Sequence, residues 1–147
     1  MIHKAQTAYR VATGLFLVGV LGQVFLAGLG LFAHPANYAT HVYLGAVLHG
    51  LATLMWILAA LSHQPPETTR LNGILFGVLA LQGLLPNLRG IIPALAALHS
   101  VNALVIFWIA LILARRAQAF AWLRTLRKPT VAARQPVYLR PAHTTKS

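Results

Sequence analysis

Two histidines end matching copies of a repeated segment, and they are the residues of this sequence best suited to chemistry. His41 ends the segment PANYATH and His99 ends the segment PALAALH, so both follow one pattern of proline, alanine and histidine. Gln23 precedes His41 by 18 residues, and Gln82 precedes His99 by 17 residues. Because neutral imidazole is a common ligand of transition metals, the duplication indicates a pair of metal ligands on two related helices.

The repeat also predicts that the two histidines lie at one depth. Each stands six residues after its proline, which is about 9 Å along a helix. In an up-and-down bundle the second and fourth helices are diagonal neighbours, so a two-fold axis would bring His41 opposite His99. Two facing imidazoles provide the axial ligands of a haem iron. We therefore expect haem b between His41 and His99, with another tetrapyrrole or no cofactor as alternatives.

Three amide side chains are expected to line the same site. Gln23 and Gln82 would accept an imidazole N–H or donate to a haem propionate, as groups behind metal ligands do. Asn102 lies one turn after His99 and would join its hydrogen bonds. These three residues are therefore predicted to contact the cofactor.

A structural role for the histidines stays open beside the metal-binding one. A neutral histidine in a membrane helix can simply hydrogen-bond a neighbouring helix. His49 has no repeat partner, since Phe107 occupies the corresponding position. It is an alternative metal ligand, a group on a proton path or a packing residue.

The elements that must position these residues are membrane-spanning helices. Of the 147 residues, 58% are hydrophobic and only 9% are charged, and the mean hydropathy is +0.69. A soluble domain of this size has about a quarter of its residues charged. The sequence contains four apolar runs of the kind that cross a bilayer, at about 11–33, 35–62, 71–85 and 93–114. The first resembles a signal peptide, but its length favours a retained helix.

These runs predict an all-α, integral membrane, up-and-down four-helix bundle. The prolines that open the two repeats suit the first turn of a helix, so the bundle consists of two tandem helical hairpins related by a pseudo-two-fold axis. The transmembrane domain is expected to cover residues 1–116. Residues 117–128 would continue the fourth helix or form a basic amphipathic segment at the membrane surface, and residues 129–147 would form a flexible cytoplasmic tail.

The charge distribution predicts the orientation. Twelve Lys and Arg face a single acid, Glu67, and the formal net charge is +11. Only Arg89 falls on the side opposite the other basic residues. The positive-inside rule then places both termini in the cytoplasm, in a multi-pass protein of the bacterial plasma (inner) membrane. Anionic lipid of the bilayer is the expected partner of the basic residues, and no nucleic acid is expected.

Several kinds of chemistry are excluded by composition. The chain has no Cys, which rules out disulfides, iron–sulfur clusters, c-type haem attachment and thiolate catalysis. No acid lies in an apolar run, so carboxylate proton relays and carboxylate-bridged metal pairs are not expected. No catalytic residue is predicted, and the sequence favours a non-catalytic role over an enzyme.

The sequence resembles an uncharacterised family of small bacterial four-helix membrane proteins, classed as a domain of unknown function. The resemblance is in the segment QVFLAGLGLF from Gln23, in His41 followed by Gly45, and in LHSVNAL from Leu98. It covers about residues 8–116 and implies four spans and a histidine-bearing core. The layout is also similar to that of membrane b-type cytochromes and of haem A synthase-like proteins, which carry further histidine ligands.

Two functions follow as expectations. The first is a b-type cytochrome-like protein that holds one haem for electron transfer, with quinone or other membrane redox subunits as partners. The second is an accessory subunit of a larger membrane complex, which either has no cofactor or ligates a pigment of that complex. A small transporter is less favoured, because no broken midspan helix and no inverted repeat is evident.

Overall fold

Four α-helices make up most of the protein. The structure is a computed structural model that describes residues 2–126, with side chains described to residue 123. The helices are α1 Ile2–Phe32, α2 Tyr38–Leu61, α3 Pro66–Leu84 and α4 Pro93–Leu126. Short 3-10 helices, Pro35–Asn37 and Leu85–Gly90, precede α2 and follow α3. The described residues contain no strand, which confirms the predicted all-α class.

Each helix is long and apolar enough to cross a bilayer. Large apolar side chains are exposed on every helix, for example Phe25 at 66% on α1 and Leu104 at 69% on α4. A water-soluble helix keeps such residues on one buried face. The four helices therefore form a multi-pass membrane protein with an apolar outer surface.

The helices pack as a square. α1 lies beside α2 and α4, and α3 lies beside α2 and α4, whereas the described parts of α1 and α3, or of α2 and α4, do not approach each other closely. Short connections force consecutive helices to run antiparallel. The bundle is therefore up-and-down, with α2 and α4 diagonal to each other.

The close-packed core occupies one half of the length of the bundle, at the end where α1 begins. Its largest fully buried apolar side chains are Tyr9, Phe16, Met55, Leu75 and Leu113. At the opposite end, no residue of α2 before Leu48 and no residue of α4 before Ile106 is buried. We call these the inner and outer ends of the bundle. The inner end stabilises the fold, and the outer end is more open.

Two helices begin before the apolar runs predicted as spans, and the fourth helix follows one of its two predicted alternatives. α1 begins at Ile2 instead of residue 11, and α3 begins at Pro66 instead of residue 71. Both helices start in polar sequence, where apolar runs give no signal. α4 continues to Leu126 without a break, so residues 117–126 extend the fourth helix and do not form a separate surface helix. The predicted tail, 129–147, lies outside the described residues.

The corner between α2 and α3 has a specific backbone geometry. The N–H of Gln64 donates to Ala59 O at 3.1 Å, and the N–H of His63 donates to Ala60 O at 3.1 Å. Together these bonds form a Schellman motif, which ends a helix with one residue in the left-handed region. That residue is His63, with φ 52°. Glycine is the usual residue there, although histidine is among the residue types that tolerate this conformation.

Packing at Gly19 gives a testable prediction for the fold. A Cβ atom at Gly19 would lie 2.6 Å from Leu48 Cδ2, whereas a Cβ at Gly14 would meet no atom within 4 Å. Gly19→Val should lower the free energy of unfolding by about 1–3 kcal/mol, because it overpacks the α1–α2 contact. Unfolding in detergent by heat or denaturant measures the change.

Gly14→Val is the matched control, since it makes the same change of residue in the same helix. It should leave stability unchanged or raise it slightly. Equal losses in the two variants would show that the α1–α2 contact at Leu48 is not close-packed.

Candidate functional site

Each histidine of the repeat is anchored to the backbone of the preceding helix. His41 Nδ1 lies 3.1 Å from the backbone oxygen of Gln23. His99 Nδ1 lies 3.0 Å from the backbone oxygen of Gln82. A carbonyl oxygen can only accept, so in both bonds the ring Nδ1–H donates. The same bond thus joins α1 to α2 and α3 to α4.

These two bonds determine which ring nitrogen is unprotonated. A neutral imidazole has a single N–H, and in His41 and His99 that hydrogen is on Nδ1. Nε2 is then unprotonated and carries a lone pair. Histidines that bind metals are commonly held in this way, with the other N–H donated to a backbone carbonyl. Both side chains are therefore in the tautomer of a metal ligand that binds through Nε2.

The two rings meet in an edge-type contact across the outer end of the bundle. Their centroids are 6.2 Å apart and their planes meet at 62°. Two metal–nitrogen bonds of about 2 Å, together with the half-widths of the rings, give a centroid separation of about 6 Å. The spacing of His41 and His99 therefore fits one metal ion between them.

In the second hairpin hydrogen bonds join Asn102, Gln82 and His99. Asn102 Nδ2 donates to Val78 O at 3.0 Å and to Gln82 Oε1 at 2.7 Å. The remaining amide nitrogen, Gln82 Nε2, lies 3.2 Å from His99 Nε2. It donates to that nitrogen, which agrees with a proton on His99 Nδ1. Gln82 is thus held at both atoms of its amide.

The first hairpin lacks the equivalent of this network. Leu44 stands three residues after His41, where Asn102 stands three residues after His99. Gln23 Oε1 is buried and has no hydrogen-bond partner. A Cβ at Gly45 would lie 2.9 Å from Gln23 Nε2, so glycine leaves the room that this amide occupies. The site therefore has one satisfied amide and one unsatisfied amide.

His49 stands apart from the pair. Its Nδ1 lies 2.8 Å from Gly45 O, and its Nε2 lies 2.8 Å from Leu79 O, so the ring joins α2 to α3. A neutral ring can donate to only one of these carbonyls at a time. Both nitrogens face backbone oxygens, so in this arrangement neither is directed at a metal.

The described residues contain no cluster of three or more metal-ligating side chains. A zinc site would need at least three such ligands, whereas a haem iron takes its other four ligands from the porphyrin and needs two from the protein. The pair of His41 and His99 therefore does not make a zinc site by itself.

A second buried polar cluster lies at the inner end, and sequence reasoning did not predict it. Asn72 Nδ2 donates to Tyr9 Oη at 2.9 Å and to Thr68 O at 2.8 Å, and all three residues are buried. An asparagine in an apolar run indicates a hydrogen bond but does not identify the partner. This cluster joins α1 to α3 across the bundle and has a structural role.

The difference between the two glutamines gives the second prediction. Gln82→Leu should lower the free energy of unfolding of the cofactor-free protein by about 1–3 kcal/mol, because Asn102 and His99 lose a hydrogen-bond partner. Gln23→Leu should leave stability unchanged or raise it, because it removes an unpaired buried acceptor. Denaturant titrations in detergent compare the two variants directly, and equal losses would contradict the asymmetry.

Comparison with known proteins gives one match. The sequence profile of a family of unknown function, DUF6220, matches residues 23–87. This segment is less than half of the chain; it contains Gln23, His41, His49 and Gln82 and ends before His99. No curated protein and no solved structure matches the chain significantly. The chain is therefore similar to a family without an assigned activity, over the end of α1, α2 and α3.

Proposed function

We propose that this protein binds one b-type haem between α2 and α4 and carries electrons in the membrane. His41 and His99 would hold its iron. The observation that supports this most is the matched anchoring of both rings through Nδ1–H, with centroids 6.2 Å apart. Each unprotonated Nε2 is then available to the iron without a change of tautomer.

The surroundings of the pair are compatible with a planar macrocycle. α2 and α4 are diagonal, and neither has a buried residue at its outer end. Gln82 Nε2 must leave His99 Nε2 when iron binds, since a nitrogen that binds metal cannot also accept a hydrogen bond. Gln23 Oε1 needs a donor, which a protonated propionic acid group or a water molecule would supply.

The protein's own residues would hold and orient the haem. The two carbonyl–imidazole bonds fix the rings, and the close-packed core beneath them excludes water from the inner half of the bundle. When bound, a haem with two histidine ligands supplies one-electron transfer and has no open coordination site for oxygen. We expect a membrane quinone or the redox subunit of another membrane protein to exchange electrons with it.

The orientation belongs to the same proposal. Lys4, Arg10, Arg70 and Arg115 lie towards the inner end of the bundle, and Arg89 lies at the outer end. By the positive-inside rule the inner end faces the cytoplasm. The haem then lies towards the outer leaflet of the bacterial plasma membrane, with both chain termini on the cytoplasmic side.

Absorption spectroscopy of the full chain, expressed with haem supplied and purified in detergent, tests the function. We expect a Soret band and, after reduction with dithionite, the sharp α and β bands of low-spin b-type haem. His41→Ala and His99→Ala should each lose the low-spin spectrum, because one axial ligand is missing. The double variant should lose the chromophore.

His49→Ala and His63→Ala are the matched controls, since each removes a histidine that is not in the pair. Both should keep the wild-type spectrum. Haem retained in the double variant, or haem lost in a control that still folds, would contradict the assignment. Circular dichroism and gel filtration establish that each variant is folded.

A second function is supported by the hydrogen bonds of His99. Both of its ring nitrogens have protein partners, Gln82 O and Gln82 Nε2, so the histidine is satisfied without a cofactor. This arrangement suits an accessory subunit that packs against larger membrane proteins. Such a subunit would be colourless when expressed alone and would copurify with its complex from native membranes.

A further inference from the structure

A groove at the inner end of the bundle combines charges of both signs with an apolar wall. It lies between the α2–α3 corner and the last turns of α4, has a volume of about 430 Å³, and is lined by Gln64, Glu67, Arg116, Phe120 and Leu123, among others. We call it the inner groove. It is at the opposite end from His41 and His99, so it is separate from the proposed haem site.

The two charged residues of the inner groove are not paired with each other. Glu67 is the one acid of the whole chain, and it lines the groove together with Arg116. Both side chains are exposed, and no ion pair joins them in the described part of the chain. The groove therefore presents a separate negative and a separate positive group to a ligand.

Gln64 provides an independent indication of a ligand. It lines the groove and is only 8% exposed. Its Oε1 is buried and has no hydrogen-bond donor. The Schellman motif at His63 holds Gln64 in this position, directly before Pro65 and the start of α3 at Pro66. A buried hydrogen-bond acceptor without a donor is energetically unfavourable. A ligand that donates an N–H or O–H to it would therefore bind more tightly than one that does not.

The position of the inner groove relative to the membrane indicates what kind of ligand it would bind. In the orientation proposed above, this end lies at the cytoplasmic surface of the bilayer, where phospholipid headgroups lie. Phe120 and Leu123 form an apolar side on which the upper part of an acyl chain can lie. A suitable ligand therefore carries a negative group, a positive group with N–H donors, and an apolar portion.

We propose that the inner groove binds a phospholipid whose headgroup carries a primary ammonium, of the phosphatidylethanolamine type. Arg116 binds the phosphate, as guanidinium groups do. The ammonium donates to the carboxylate of Glu67 and to Gln64 Oε1. A choline headgroup has the same charges but no N–H donor, so it cannot satisfy Gln64.

Lipid binding to the full-length protein tests the proposal without reference to haem. The delipidated protein is titrated with phosphatidylethanolamine, phosphatidylcholine and phosphatidylglycerol of identical acyl chains, and native mass spectrometry counts the bound lipids. We expect the ethanolamine lipid to bind about tenfold more tightly than the choline lipid, since it makes charge-assisted hydrogen bonds that the choline lipid lacks.

Variants assign the preference to the groove. Gln64→Leu and Glu67→Gln should each remove most of the preference for ethanolamine over choline. Arg116→Gln should weaken both lipids, whereas Arg115→Gln, at an exposed neighbour outside the groove, should change neither. Glu67→Gln removes a charge at the start of α3 and could disturb that helix. Gln64→Leu changes no charge and therefore provides a second, independent test.

Three results would overturn the proposal. The first is equal binding of the ethanolamine and choline lipids by the wild-type protein. The second is tighter binding of the glycerol lipid that increases further in Glu67→Gln, since this would identify a site for anionic lipid. The third is an unchanged ethanolamine preference in both Gln64→Leu and Glu67→Gln.

Discussion

The bond from an imidazole N–H to a backbone carbonyl of the preceding helix, made once in each hairpin, determines the arrangement of the outer end. In a bilayer a polar side chain must find its partners within the protein. A helical carbonyl has a second lone pair beyond the one used in the helix, and Gln23 and Gln82 offer theirs to His41 and His99. Each bond orients one ring and leaves its Nε2 unprotonated.

The two ends of the bundle differ in packing, because the buried apolar side chains are concentrated at the inner end. Phe16, Met55, Leu75 and Leu113 fill the inner end, so the four helices are fixed there. The outer end depends on the two histidine bonds and on the Asn102–Gln82 network, with few buried apolar contacts. The proposed haem site is compatible with this distribution, because stability would come from the half that the haem does not enter.

The class of fold was predictable, because runs of apolar residues and short polar connections are local signals. The diagonal placement of α2 and α4 also followed from the proline–histidine repeat.

The hydrogen-bond partners of the side chains were not predictable. The sequence near Gln23 does not indicate that its backbone carbonyl accepts a hydrogen bond from an imidazole while its side-chain oxygen stays unpaired. That outcome depends on the rotation of the helices. It also depends on Leu44, which stands in the first hairpin at the position that corresponds to Asn102. The helical turns of α1 and α3 that precede the predicted apolar runs were not predicted, because polar turns such as the one at Glu67 can be helical outside an apolar run. The left-handed corner at His63 was missed, since glycine usually marks it.

The central claim is that His41 and His99 are both held as Nδ1–H tautomers with an unprotonated Nε2. Solid-state nitrogen NMR of the cofactor-free protein in lipid bilayers, with isotope-labelled histidine side chains assigned through single His→Gln variants, measures this directly. The structure predicts a protonated, hydrogen-bonded Nδ1 and an unprotonated Nε2 for both residues. A proton on Nε2 of either histidine would contradict the anchoring bond and remove the main support for a haem between them.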